Sequence, residues 1–447
     1  MKFLKDWLFN EPSPSHGEIF AALDIGSSKI ACFVARSENG ATPKVVGIGH
    51  QLSEGMRQGG VSNMEALQFS ISQAVTAAEQ MAGETLHRVT VNISGAQLSS
   101  QAIDIELPLN GREVTEADIA RLQAQGQTLA AEDTMAQPME LLQTIPVNYS
   151  LDEQKGIRDP LGMTGSILHA HMHLIAAGFG PVRTLATAVA KCHLDIDRLV
   201  AAPYASGLAC LVEDEVDLGS LIIDMGAGTT SFAVFFDGSV VFTGGIPLGG
   251  AHVTNDIARG LTTSLVQAER LKTLYGNAYE SPQDERELID VPLLGEENDP
   301  DNVNQVPKSH LMRIIQPRLE EIFELVRTAM EQSGFNELAG RRVVLTGGSS
   351  QLPGVREMAQ SILDRQVRLG RPLRVARPST LSARTNNSFT GLAESTSGPA
   401  FATTAGLLTI AMQPELASSS VTSFSSRSLN TGDTTLNRLG LWLKQNL

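Results

Sequence analysis

The sequence predicts an α/β protein built from two domains related by duplication, and three observations predict it. The stretch LIIDMGAGTTSFAVF at 221–235 has a counterpart about 200 residues earlier, AALDIGSSKIACFVA at 21–35. Both copies set an apolar run, an aspartate, a glycine and small hydroxyl residues ahead of a second apolar run. With 42% hydrophobic residues among 447, and no long polar tract before residue 413, the chain can bury several cores.

The flanks of the turn are strands. Leu221 to Ile223 are apolar and Ser231 to Phe236 are again β-branched and aromatic, so the turn joins strand to strand. A dinucleotide fingerprint or a Walker loop would lead from strand into helix, and neither a helical period nor GK[ST] follows. Setting Asp24-Ile25-Gly26-Ser27-Ser28 against Asp224-Met225-Gly226-Ala227-Gly228-Thr229-Thr230 gives a repeat whose copies differ by two residues. Two such hairpins face to face could clasp a polyphosphate through backbone N–H groups and hydroxyls, glycine permitting close approach. Asp24 and Asp224 would then approach a hydrated Mg²⁺, and Lys29 would add a point charge for the phosphates. Two unrelated β-turns, with Asp and Gly serving local turn chemistry, would read the same way in isolation.

Composition narrows the partners. A net charge of −15 without a basic stripe argues against nucleic acid. Cys32, Cys192 and Cys210 are far apart among apolar neighbours, which fits reduced thiols and a reducing cytoplasm. No apolar run approaches the roughly 18 residues of a spanning helix, and Asp6 interrupts MKFLKDWLFN before a signal-peptide core forms. The expectation is a chain neither secreted nor transmembrane.

The paired hairpins, together with VAAPYASGLACL, IPLGGAHVTNDIARGL at 246–261, AERLKTLYG at 268–276, VVLTGGSSQLPGV at 343–355 and FATTAGLL at 401–408, resemble the superfamily of actin, the heat-shock chaperone ATPases and the sugar kinases. Within it the chain resembles the FtsA family of bacterial cell-division actin homologues, from about residue 18 to 412 and again at the C-terminal tip. The resemblance implies an actin-like (ribonuclease H-like) fold, duplicated domains around an ATP cleft, an inserted FtsA-type module and a C-terminal amphipathic helix. It divides the chain into a first domain (17–87, 176–207), the module (88–175), a second-domain core (208–247, 341–412) and a second-domain subdomain (248–340).

The same resemblance assigns nucleotide contacts residue by residue. Gly347 and Gly348 match the glycine turn beside the adenosine; read alone, the turn is a strand-to-helix link capped by Ser349 and Ser350. Glu269 and Lys272, three apart on one helix face, match ribose and base contacts; alone they read as a surface ion pair. Ser206 and Gly207 of the YASG stretch, Ser349, and Asn255 with Asp256 complete the nucleotide set, the last two reading first as helix-start chemistry. Arg198 aligns with actin's water-orienting glutamine, and a guanidinium cannot serve as a base, so nucleotide-dependent assembly is expected rather than fast hydrolysis.

The module, framed by RVTVNISGAQLSSQ and HAHMHLIAAGF, would contact neighbouring subunits and other division proteins. His169, His171 and His173 alternate on one strand face, where a metal site or a polar surface is possible chemistry. HLMRIIQPRLEEIFELVRTAM, 310–330, has helical spacing with an internal proline. By resemblance it belongs to the subdomain that receives the acidic C-terminal tail of the tubulin-like protein FtsZ; Arg318 would pair with a tail carboxylate or with Glu321. The acidic segment 280–301 reads as a solvated excursion, and neither it nor the Ser/Asn-rich stretch 379–388 suggests a function.

From 413 to 434 the composition is that of a disordered linker. In LNRLGLWLKQNL, Leu436, Leu439, Leu443 and Leu447 form one helical stripe with Trp442 beside it, which suits a membrane interface or docking on the protein's own core. Residues 1–16 carry a second amphipathic arm, with Phe3, Leu4, Trp7 and Leu8 on one face, for lipid or for a neighbouring subunit. One weak helix gains avidity when polymerisation aligns many copies. The resemblance thus implies an ATP-binding scaffold, at most a slow ATPase. It would polymerise on the inner face of the cytoplasmic membrane at the division site, tether FtsZ filaments and recruit later division proteins. A small-molecule kinase of the same superfamily and the actin-like component of a pilus assembly platform are the alternatives.

Overall fold

The structure is a computed structural model that describes residues 17–38, 42–95, 98–135, 139–295, 303–372, 389–392 and 394–413. The N-terminal arm, the C-terminal stretch from 414 with its leucine stripe and Trp442, and 379–388 lie outside the described residues.

Strands β1 (Glu18–Ile25), β2 (Lys29–Ser37) and β3 (Lys44–Leu52) form an antiparallel run. A short hairpin, β4 (Met56–Arg57) and β5 (Gly60–Val61), leads into α1 (Met64–Ala82). Asn63 caps α1 by accepting from Ala66 N–H, and Gly83 ends it in the left-handed region. Then β6 (Arg88–Ile93) joins β1 in parallel, so RVTVNI belongs to the first sheet and the chain leaves for the module after it. The module comprises β7 (Leu98–Pro108), α2 (Glu116–Met135), β8 (Met139–Leu151), β9 (Gln154–Ile157) and β10 (Ile167–Gly178), with its own small core around Ile105, Leu122, Leu168 and Met172. Helix α3 (Phe179–Lys191) and β11 (Asp195–Ala201) return to complete a sheet of order β11-β6-β1-β2-β3.

The second half repeats that plan. After α4 (Ala202–Cys210) and α5 (Glu213–Leu218), strands β12 (Ser220–Met225), β13 (Thr230–Phe236) and β14 (Ser239–Ile246) are antiparallel. Helices α6 (Gly250–Gly260) and α7 (Leu265–Tyr275), the hairpin β15 (Leu288–Pro292) with β16 (Val303–Pro307), and α8 (Lys308–Ser333) form the subdomain. Then β17 (Arg342–Thr346) pairs in parallel with β12, followed by α9 (Val355–Leu363) and β18 (Gln366–Leu369). The sheet order β14-β13-β12-β17-β18 is the first sheet's order read in reverse, so the duplication holds at the level of topology.

Helix α8 runs straight through Pro317 and buries Leu311, Ile315, Leu319, Ile322, Val326 and Met330, a stripe of the predicted helical period. The acidic segment is folded where it is described. Arg313 pairs with Glu280 and Glu285, and Lys308 with Asp284 and Glu287, which fastens it to the start of α8 in place of a solvated excursion.

Helix α4 and the last helix, α10 (Ala402–Met412), lie between the two sheets and share one core with both, from Leu23 and Ile30 to Ile222 and Phe235. They cross closely: a Cβ on Gly406 would sit 1.8 Å from the Ala205 carbonyl oxygen. The module rests on the second sheet through His173 and Ser100, described below, and through Arg158, 2.6 Å from Asp237.

Candidate functional site

Each β-hairpin ends its first strand on an aspartate one residue before the strand's end, and the two turns close alike. Gly26 N–H donates to the Lys29 carbonyl at 3.0 Å, and Gly226 N–H to that of Thr229 at 2.9 Å. Ile25 pairs with Ile30 and Met225 with Thr230, so the copies have equal length and not the two-residue difference read from the sequence. Lys29 is therefore the counterpart of Thr229. Thr230 is the first paired residue of β13, buried, its hydroxyl donating to Leu248 O.

The two turns face each other across a cavity of about 540 Å³, within the range of small-molecule sites. It is lined by Asp24, Gly26, Ser27, Ser28 and Lys29 from the first turn and by Asp224, Gly226, Ala227, Gly228 and Thr229 from the second. Gly347, Gly348 and Ser349 form one wall and Glu269 with Lys272 another. Contact between the turns requires a missing side chain: a Cβ on Gly228 would lie 2.4 Å from Ser27 Oγ. Gly347 holds φ +85°, and Ser349 Oγ donates to Gly226 O at 2.9 Å, tying the glycine turn to the second hairpin.

Glu269 and Lys272 are both an ion pair, 2.6 Å apart, and cavity wall; Thr254 joins them, its hydroxyl 2.8 Å from Lys272 Nζ. Five expected residues line no part of this cavity. Ser206 is buried beneath it and reaches it through Asp224, donating to Oδ2 at 2.6 Å. Gly207 makes room for Phe235, whose ring its Cβ would strike at 2.3 Å. Thr230 is in the strand, as above. Asn255 and Asp256 stand well inside α6, which begins at Gly250, so they are not helix-start residues. They line an adjoining cavity of about 220 Å³, which shares Ser27 and Gly228 with the first, together with Arg57, His252, Arg259 and Arg318. Arg318 binds Asp256 at 2.6 Å and also Glu321, so the intrahelical pair forms and a second partner joins it.

Arg198 is not in the cleft either. It donates to the Ile410 carbonyl at 3.2 Å, fastening the end of α10, so its position carries no argument about hydrolysis. The three histidines do not converge on a metal. His171 pairs with Asp104 at 2.5 Å and His169 lies 3.5 Å from Glu106. His173 is buried: its Nδ1–H donates to Val240 O at 3.1 Å, leaving Nε2 to accept from Ser100 Oγ at 2.6 Å. Burial pushes its pKa down to about 4, so it is a neutral joint between module and second sheet. Among the described residues no cluster of three or more His, Cys, Asp or Glu could hold a metal.

Sequence reasoning missed the floor of the cavity. Thr403 Oγ1 donates to Asp224 Oδ2 at 2.7 Å and Thr404 Oγ1 to Asp24 Oδ2 at 2.8 Å. Lys29 Nζ donates to Ala400 O at 2.5 Å and lies 3.7 Å over the Phe401 ring. FATTAGLL was recognisable as a motif, but nothing in its local pattern aims those hydroxyls at carboxylates 179 and 380 residues away.

Burial raises the pKa of Asp24, against the lowering effect of Lys29 and the Thr404 hydroxyl. Burial likewise raises Asp224, against Ser206 and Thr403, and lowers Lys29, against both aspartates. Two carboxylates and one ammonium thus meet at one buried place, each with its charged form disfavoured by burial. Two carboxylates with room for water suit a divalent, oxygen-seeking cation such as Mg²⁺, which keeps several waters. Turn amides, Ser27, Ser28, Thr229 and Lys29 supply donors for phosphate oxygens. The residues present fit a nucleoside polyphosphate with Mg²⁺: Asp24 and Asp224 would hold the hydrated cation, the two turns the phosphates.

The profile described as Cell division protein FtsA matches residues 221–406, and that of the SHS2 domain inserted in FTSA matches 95–176. Cell division protein FtsA of Rhizobium meliloti (strain 1021) is 39% identical over 448 residues, covering 97% of this chain and 96% of the relative. That of Pseudomonas aeruginosa is 33% identical, with 97% and 99% covered, and that of Escherichia coli K12 is 30% identical, with 88% and 90% covered. Among solved structures, a chain of the PilM-PilN type IV pilus biogenesis complex superposes with a TM-score of 0.60 at 19% identity, covering 88% of this chain and 99% of that one. That likeness concerns the fold alone, which is actin-like, with the SHS2 module inserted in the first half. Full-length identity of this order, matched at both the second half and the inserted module, places the chain in the FtsA family of cell-division proteins.

Proposed function

We propose that this cell-division protein binds ATP with Mg²⁺ in the cavity between its duplicated hairpins and, so loaded, polymerises on the cytoplasmic face of the membrane at the division site. There it tethers FtsZ filaments and recruits later division proteins, acting as a scaffold and at most a slow ATPase. The observation that carries the nucleotide part is the facing pair of equal turns, each with its aspartate at one buried site that Lys29 also lines. Phosphates would sit on the turn amides, with Gly347 and Gly348 beside the adenosine and Glu269 and Lys272 at the ribose and base. The domain division drawn from the sequence, with the module beginning after Ile93, is part of the same reading.

The membrane part rests on sequence. No helix among the described residues is long and apolar enough to cross a membrane, so attachment falls to the stripe of Leu436, Leu439, Leu443 and Leu447 with Trp442. The FtsZ tail is assigned to the subdomain bearing Arg318, where an incoming carboxylate would compete with Asp256 and Glu321.

The test is liposome co-sedimentation of the full chain and of a chain ending at Gly432, each with and without ATP. Binding that needs the last residues and rises with ATP is expected. Equal binding by the shortened chain would move attachment to the N-terminal arm or overturn the scaffold reading.

A further inference from the structure

We propose that Thr403 and Thr404 are the positioning residues of the cation site: consecutive hydroxyls at the start of α10 that hold one carboxylate from each domain at a set separation. The inference rests on the reading of the cavity as an ATP–Mg²⁺ site.

Asp24 is the last residue but one of the first domain's central strand and Asp224 that of the second's. The two strands belong to different sheets, so nothing in either sheet fixes the distance between the carboxylates. Helix α10 does, because it lies between the sheets. Consecutive helical residues are turned by about 100° from one another, so neighbouring hydroxyls can point to opposite sides. Thr403 bonds Asp224 at 2.7 Å and Thr404 bonds Asp24 at 2.8 Å. A threonine hydroxyl within a helix often turns back to its own carbonyl four residues earlier, as Thr409 does to Ala405 on this same helix. The two at its start point outward instead.

These bonds share one pattern. Both fall on Oδ2, and Ser206 adds its bond to the same oxygen of Asp224. Each carboxylate therefore has one oxygen committed to the floor and its Oδ1 left for the waters of a bound cation. The preceding residues anchor the floor to the glycine turn and to the first hairpin: Pro399 O accepts from Gly347 N–H at 3.1 Å, and Ala400 O accepts from Lys29. Partners that orient metal ligands without touching the metal typically change its affinity 10- to 100-fold when removed.

The experiment titrates a fluorescent ATP analogue into the full chain, in Mg²⁺ and in EDTA, and compares Thr403→Val/Thr404→Val with Thr403→Ser/Thr404→Ser. Valine keeps the shape and removes the hydroxyl; serine keeps the hydroxyl. The expected result is that the gain in affinity given by Mg²⁺ falls roughly tenfold or more in the valine pair. Affinity in EDTA should fall by less than affinity in Mg²⁺ does, and the serine pair should restore the gain. An unchanged Mg²⁺ gain in the valine pair overturns the proposal, and so does an equal loss with and without Mg²⁺, which would mark the threonines as supports of the fold. Should the double variant fail to fold, Thr404→Val alone, which touches only Asp24, is held to the same standard. A wild-type protein that binds the analogue with no response to Mg²⁺ would overturn the cation reading itself.

Discussion

Replacing Gly348 with alanine separates a wall that faces ligand from a wall that only holds the fold. An ideal Cβ at Gly348 meets nothing closer than Ala400 Cβ at 4.0 Å, and Gly348 lines the cavity. Its neighbour Gly347 has φ +85°, and a Cβ there would lie 2.4 Å from Asp224 Oδ1 and 2.5 Å from Met225 O. Gly348→Ala should therefore leave the ligand-free protein within about 0.5 kcal/mol of the parent, as for a substitution into open space. Gly347→Ala combines a left-handed backbone, roughly 1–2 kcal/mol for an L-residue, with two short contacts, and should cost about 2 kcal/mol or more. For nucleotide the ranking changes. A methyl from Gly348 occupies space the ligand needs, and overpacking of about 1–3 kcal/mol corresponds to roughly 5- to 150-fold weaker binding. Urea unfolding and titration of a fluorescent nucleotide, run on the same preparations, measure both quantities. A Gly348→Ala protein of parental stability whose affinity stays within about twofold would refute the placement of the nucleotide against this wall.

Other consequences are as specific. His173 is neutral in the fold with its pKa near 4 against about 6.5 when unfolded, so the unfolded state binds more protons between those values. Its contribution is complete above pH 6.5 and is lost as pH falls towards 4, by roughly 3 kcal/mol; urea unfolding at pH 7 and 5 should show this, and a His173→Gln protein with an unchanged pH slope would rule it out. Gly406→Ala should destabilise by about 3 kcal/mol or more, because its Cβ meets the Ala205 carbonyl at 1.8 Å between two helices that neither sheet can release; a melting temperature within 2 °C of the parent would contradict that packing, taking about 2–4 °C per kcal/mol. Arg318→Ala should affect nucleotide affinity less than it affects an acidic FtsZ tail peptide, which should weaken about fivefold or more, since Arg318 lines the adjoining smaller cavity and not the larger one; the opposite ranking in paired titrations would remove Arg318 from the tail site.

The fold and most of the cavity were legible because they are written locally. Strand, aspartate, glycine and strand recur in one short window, and the helical stripe of α8 needs only its own spacing to be read through Pro317. What could not be read is what depends on distant partners. The equal length of the two turns is set by strand register, Ile25 to Ile30 and Met225 to Thr230, which an alignment of small residues does not fix. Gly207 sits in a motif that resembles a nucleotide contact, yet its missing side chain serves Phe235. The alternating histidines show period and not depth: His169 and His171 lie beside acidic partners on β7, while His173 is sealed against β14. The acidic segment read as solvent-facing because its cations, Lys308 and Arg313, come from the following helix.

Bringing Asp24 and Asp224 to one buried place has a cost that a bound cation offsets, which couples occupancy to the approach of the two domains. Burial raises the pKa of both Asp24 and Asp224, so the folded state holds their protons more tightly than the unfolded chain does. Stability from such groups is present below the unfolded carboxylate pKa, about 3.9, and is lost as pH rises through the folded values. In the ligand-free protein the charged forms of both carboxylates, one on each domain, are thus disfavoured, with Lys29 beside them. Pulling the domains apart hydrates the anions; a divalent cation neutralises them in place. A ligand that binds only the closed form stabilises it in proportion to its occupancy, and here it also removes a repulsion that grows with pH. The stabilisation given by ATP with Mg²⁺ should accordingly be larger at pH 8 than at pH 5.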